Sequence, residues 1–148
     1  MRHEVYAGIK VTSDFSVFDF TSIGRNGSIA KRIAFTETEW DGVYNLAFGD
    51  VDVNGEMDFY SVSDNGDKNK ILATIAKVID DYTKKFPDRL ILFTGSTEER
   101  TRLYRMAVGM HLEELSTTFE IYAFVDETIV PFVKNMKINA FLVKRKNI

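Results

Sequence analysis

The sequence predicts an α+β domain, a mainly antiparallel sheet with two amphipathic helices packed on one face, over residues 1–148 as a single domain. Three observations carry this reading. The first third alternates apolar and polar residues at the two-residue period of strands. The period changes to that of a helix over residues 68–86. Short apolar runs at 90–93, 119–125 and 138–143 follow, with one more helical stretch among them. That order suits strands backed by helices better than a doubly wound parallel fold, which needs stricter alternation.

In residues 5–11, Val5, Ala7, Ile9 and Val11 alternate, as a half-buried strand requires. Ser13 and Asp14 suit a tight turn. In residues 15–20, Phe18 and Phe20 share one face and Phe15 and Val17 the other. Residues 23–28, "IGRNGS", read as a loop, and 29–36, 43–48 and 57–62 as further strands. Tyr6, Trp40 and Phe48 read as core aromatics.

From Lys68 to Phe86, apolar residues at 71, 72, 75, 78, 79, 82 and 86 form one stripe, with Lys77, Asp80, Asp81 and Lys84 opposite. Asp67 is placed to cap this helix and Pro87 to close it. After the strand at 90–93, Ser96 and Glu99 have the spacing of a capping box for a helix over about 97–112. Its buried face is predicted to be Leu103, Met106, Ala107 and Met110. Strands at 119–125 and 138–143 close the chain, with a turn or short helical stretch around Pro131.

Apolar residues make up 45% of the chain and there are two prolines, enough to build a sizeable core. The absence of cysteine removes disulfides, thiolate metal sites and cysteine nucleophiles, and suits a reducing compartment. No apolar run approaches the roughly 18 residues of a membrane span, and "MRHEVYAGIKVTSDF" is not a signal peptide. A cytoplasmic location without membrane contact is expected. Charge is divided unevenly: residues 1–67 carry 5 basic and 12 acidic residues, and 68–148 carry 14 and 10. Either the halves neutralise each other or a polarised surface meets a charged partner.

The segment "LFTGSTEERTRLYR", residues 92–105, is the candidate site. A strand ends, Gly95 permits an unusual backbone angle, and a helix starts at once, exposing N–H groups that attract anions. Gly95, Ser96 and Thr97 would supply backbone and hydroxyl donors, and Arg100, Arg102 and Arg105 the charge. Three uses of these arginines are open. A non-enzymatic binding module would hold an anionic group of a protein, nucleic acid or small molecule. A small enzyme would use them to clamp a phosphorylated or carboxylated substrate, with Tyr104 and His111 near Arg100. Or they serve structure, Glu98 pairing with Arg102 and the others meeting solvent or the acidic segment 37–67. The segment lacks the glycines and lysine of a phosphate-binding loop.

No paired catalytic motif surrounds His3 or His111, and no cofactor is implied. "DVDVNGEMDFYS", residues 50–61, opens like a calcium loop with Asp50, Asp52 and Asn54, but Ser61 stands where the closing glutamate belongs. Asn54-Gly55 is a leading hairpin dipeptide, so residues 43–62 are read as a β-hairpin and no metal site is assigned. Lys144, Arg145 and Lys146 could extend a basic face toward nucleic acid, although the chain's pI is about 5.4; guarding a sheet edge explains them equally well.

"FGD" at 48–50, "SDNGDKNKILATIAKVI" at 63–79, "TGSTEERTRLYR" at 94–105 and "NAFLVKRK" at 139–146 carry a resemblance. Together they resemble a family of uncharacterised small proteins from Bacteroidetes bacteria. That family has an N-N-G-D-like turn before a helix, a G-S-T-x-x-R-T-R-L-Y-R segment and a last strand ending in basic residues. The resemblance covers about residues 43–146, the first 40 matching loosely, and Ser63 and Asp64 replace other small or amide residues. It implies a bacterial cytoplasmic protein. It draws attention to Gly95, Ser96, Thr97, Arg100, Arg102, Leu103, Tyr104 and Arg105 without giving them a role.

Overall fold

The computed structural model describes residues 4–58, 64–95 and 97–147. In chain order the elements are β1 (Lys10–Val11), β2 (Val17–Gly24), β3 (Gly27–Glu37), β4 (Val43–Val51), β5 (Met57–Asp58) and α1 (Lys68–Lys85). There follow β6 (Leu90–Phe93), α2 (Glu98–Met110), α3 (Leu112–Leu115), β7 (Phe119–Val125), β8 (Thr128–Pro131) and β9 (Ala140–Arg145). The nine strands are mostly antiparallel and, with three helices among the described residues, make the class α+β. No helix among the described residues is long and apolar enough to cross a membrane. The chain falls into two units. One holds residues 2–36 and 47–82, the other 37–46 and 83–148.

In the first unit the strand order is β1-β2-β3-β4, with β5 also on β4. β2 and β3 pair from Val17↔Ala34 to Gly24↔Gly27, so only Arg25 and Asn26 remain between them. The loop expected at 23–28 is thus a two-residue hairpin. Phe18, Phe20 and Ser22 alternate inward on β2, and Lys31, Ile33 and Phe35 on β3. The prediction that Phe18 and Phe20 share the buried face holds. α1 buries Ala73, Thr74, Ile75, Val78, Ile79, Tyr82 and Thr83, whereas Ile71, Leu72 and Phe86 of the predicted stripe are half-buried, so the stripe is real but takes in Ala73, Thr74 and Thr83 as well. Tyr82 stacks on Phe35 at 3.7 Å between centroids.

The N-terminal segment departs from expectation. Its strand is only Lys10–Val11, and the buried residue is Tyr6, not the alternating set, of which Val11 is 41% exposed. Hydrogen bonding explains the reversal. The Tyr6 amide donates to the Thr74 hydroxyl at 2.9 Å, and its phenol donates to Asp67 while accepting from the Ile23 amide. The Asp67 carboxylate also accepts from Ser22, at 2.5 Å, and its backbone carbonyl accepts from Ile71, starting α1. The Asp67 carboxylate, predicted to cap α1, takes no first-turn amide among the described residues and instead ties an N-terminal segment and a hairpin together, while its carbonyl starts the helix.

The hairpin at 50–58 forms, with Asp50↔Asp58 and Val51↔Met57 in register. The remaining residues of the predicted 57–62 strand lie outside the described set, as does Ser61. Asp52 accepts the amides of Asn54 and Glu56, both at 2.9 Å, which folds the turn. Asp50 instead pairs with Lys31, whose side chain is only 4% exposed.

In the second unit the order is β4-β6-β9-β7-β8. β4 and β6 run parallel from Val43↔Leu90 to Asn45↔Leu92, and the other pairs are antiparallel. Ile91, Phe93, Phe119, Ala123, Phe132 and Phe141 fill the interior. Phe93 stacks on Phe141 at 5.0 Å. Pro131 ends a strand, β8, where a turn or short helix was expected: an edge position spares proline the ladder donor it lacks. Trp40, read as core, is 56% exposed on the turn between β3 and β4. That turn is closed by the Thr38 hydroxyl on the Val43 carbonyl, 2.7 Å, and by the Val43 amide on the Trp40 carbonyl, 3.2 Å.

Candidate functional site

β6 ends at Phe93, and α2 begins at Glu98 after four intervening residues. The helix is capped by Thr97, whose extended backbone lets its hydroxyl accept the Arg100 amide at 3.2 Å. Ser96, the other residue of the expected capping box, lies outside the described residues. The Thr101 hydroxyl completes the junction. It accepts the Gly95 amide at 3.0 Å and approaches the Thr94 hydroxyl at 3.1 Å and the Thr97 carbonyl at 3.1 Å.

Gly95 is needed for a different reason from the one predicted. Its φ is not in the left-handed region. A Cβ there would instead land on the Thr101 amide nitrogen and 2.5 Å from the Arg100 Cβ. Close approach of the first helical turn, not an unusual backbone angle, excludes a side chain.

The helix start is partly satisfied. Thr97 takes one of its free amides, and Glu98 and Glu99 in the first turn answer the positive end of the helix dipole. These two carboxylates also repel an incoming anion. The positive charge that remains lies farther along. Arg102 is exposed and Arg105 half-buried, and neither has an ion-pair partner among the described residues. The expected Glu98–Arg102 pair does not form among them.

Arg100 is half-buried beside Tyr104. Burial pushes the Tyr104 phenol above the usual tyrosine range, and the Arg100 charge pulls it partly back. The Tyr104 ring meets Phe93 edge-on at 6.1 Å. His111, the third member of the proposed enzyme cluster, caps the C-terminus of α2, with its Nδ1 4.0 Å from the Glu114 carboxylate.

The packed side of α2 also differs from the prediction. Met106 is 55% and Met110 72% exposed, although both were assigned to the core. The helix is turned so that Gly109 is buried against Lys134, where an added Cβ would come within 3.3 Å of the Lys134 Cγ. Arg102, Met106 and Met110, spaced four apart, then form one exposed stripe.

The C-terminal basic residues are partly engaged. Arg145 donates to the Thr83 hydroxyl at 3.2 Å, and Lys146 donates through its side chain to the Ser116 carbonyl. Among the described residues no three potential ligands are grouped to hold a metal ion. Sequence reasoning missed the Tyr6–Asp67–Ser22 network and the Lys31–Asp50 pair. The signal available for the latter was a lysine in register with inward-facing Phe20.

No curated protein and no solved structure matches the chain. A family model does match, over residues 2–146, which takes in the first 40 residues that the motif resemblance covered only loosely. The chain belongs to DUF6934, a family of unknown function.

Proposed function

We propose that this chain is a non-enzymatic binding module of the bacterial cytoplasm, and that the arginines of α2 hold an anionic group. The observation that carries the reading is the state of Arg102 and Arg105: two guanidinium groups one turn apart, on a helix fixed at both ends, without a carboxylate partner among the described residues. Guanidinium forks suit carboxylates and phosphates because they offer paired donors in a rigid plane. The Gly95 amide is taken by Thr101 and the Arg100 amide by Thr97, and Glu98 and Glu99 repel an anion at the tip, so the anion is held by the side of the helix.

The test uses a fluorescently labelled hexaglutamate peptide as probe. Its affinity is measured by anisotropy for the native chain and for the Arg102→Ala/Arg105→Ala variant, at low and high salt. The reading predicts about a tenfold loss in the variant, since exposed charge pairs are individually modest, and weaker binding as salt rises. Equal affinity of the two proteins overturns it.

A further inference from the structure

We infer that the anionic group held by α2 belongs to a second copy of this chain and is its acidic turn carrying Trp40. This rests on the anion-binding reading of α2 and names the partner. Trp40 is 56% exposed, and Glu37, Glu39 and Asp41 around it are exposed and without ion pairs among the described residues. The turn is fixed by the Thr38 bonds and by the Leu90 amide, which donates to the Gly42 carbonyl at 2.9 Å. It presents a large apolar ring between carboxylates with little ordering left to lose, as an interface anchor does.

α2 offers the complement. Arg102 and Arg105 match the carboxylates in charge, and Met106 and Met110 stand exposed on the same stripe as Arg102. Thioethers and guanidinium groups are both favourable neighbours for an indole ring. The two surfaces are far apart within one chain. The turn leads into the start of β4 and is bonded to the start of β6, whereas α2 follows the far end of β6, which runs parallel to β4. The four residues of β6 span about 13 Å. A contact between the surfaces therefore joins two copies head to tail, and the pair keeps one surface of each kind open for extension or ring closure.

Trp40 is the only tryptophan, so its emission reports this contact alone. Sedimentation velocity and Trp emission are followed from micromolar to millimolar native chain, at low and high salt. Association with a blue-shifted emission is expected, reversed by salt. Trp40→Ala and Glu39→Lys/Asp41→Lys are each expected to weaken association about tenfold or more, as is Arg102→Glu/Arg105→Glu. Mixing the Trp40→Ala chain with the Arg102→Glu/Arg105→Glu chain restores one intact contact and should give a 1:1 dimer that grows no further. A native chain that stays monomeric while hexaglutamate still binds α2 overturns the inference and leaves the reading of α2 standing. Failure of the peptide to bind as well removes both. Association that the Trp40→Ala and arginine variants leave unchanged also overturns the inference.

Discussion

The Gly95 amide donates to the Thr101 hydroxyl at 3.0 Å, which fastens the end of β6 to the first turn of α2. This bond, and the lack of room for a Cβ at Gly95, set where α2 starts and hence where its arginines point. Gly95→Ala should cost about 1–3 kcal/mol, as other overpacking changes do. Thr101→Val removes the shared hydroxyl and should cost about 1–2 kcal/mol. Urea unfolding of the two variants measures both, and a neutral Gly95→Ala would show that the junction yields easily.

Asp67 joins three segments of the first unit by accepting from Tyr6 and Ser22 while its carbonyl starts α1. Tyr6→Phe should cost about 1.5–3 kcal/mol, because the bond to the Asp67 carboxylate is lost and the Ile23 amide loses its acceptor. Asp67→Ala should cost more, since it leaves the Tyr6 and Ser22 hydroxyls without their acceptor. The order of the two losses, read from denaturant midpoints, checks the assignment.

Tyr104 gives a pH prediction. Burial holds its phenol above the ordinary range, so the folded chain ionises later than the unfolded one. Stability supplied by the neutral phenol is fully present below the unfolded tyrosine value of about 10 and is lost as pH rises through and beyond it. Tyr104→Phe should flatten that alkaline loss. Arg100→Ala should move the Tyr104 titration, followed by NMR of its ring carbon, to still higher pH, because the charge that opposes the burial effect is gone.

Legibility followed the physics of each segment. α1 and β6 could be read because a long apolar stripe and a short apolar run between breakers each admit one backbone period. Tyr6 reads as a core aromatic and is buried, but its anchoring bonds could not be read, because they go to Thr74 and Asp67, more than 60 residues away. Lys31 reads as a solvent-facing strand residue until Asp50 is placed beside it. In α2 the apolar residues span several faces, so the pattern alone did not fix the helix rotation; contact of Gly109 with Lys134 does. The arginines of the candidate site were legible as a cluster, whereas the Thr97 cap and the Thr101 bonds that use up the helix start were not.

The central claim is that Arg102 and Arg105 hold an anion on the flank of α2. Its most direct test is NMR of the arginine Nε–Hε groups during titration with hexaglutamate at low protein concentration. The account predicts that the Arg102 and Arg105 signals shift together and saturate, while those of Arg32, paired with Asp19 at 2.8 Å, stay in place. Signals of Arg102 and Arg105 that do not move, or that move only with every other exposed cation, contradict it.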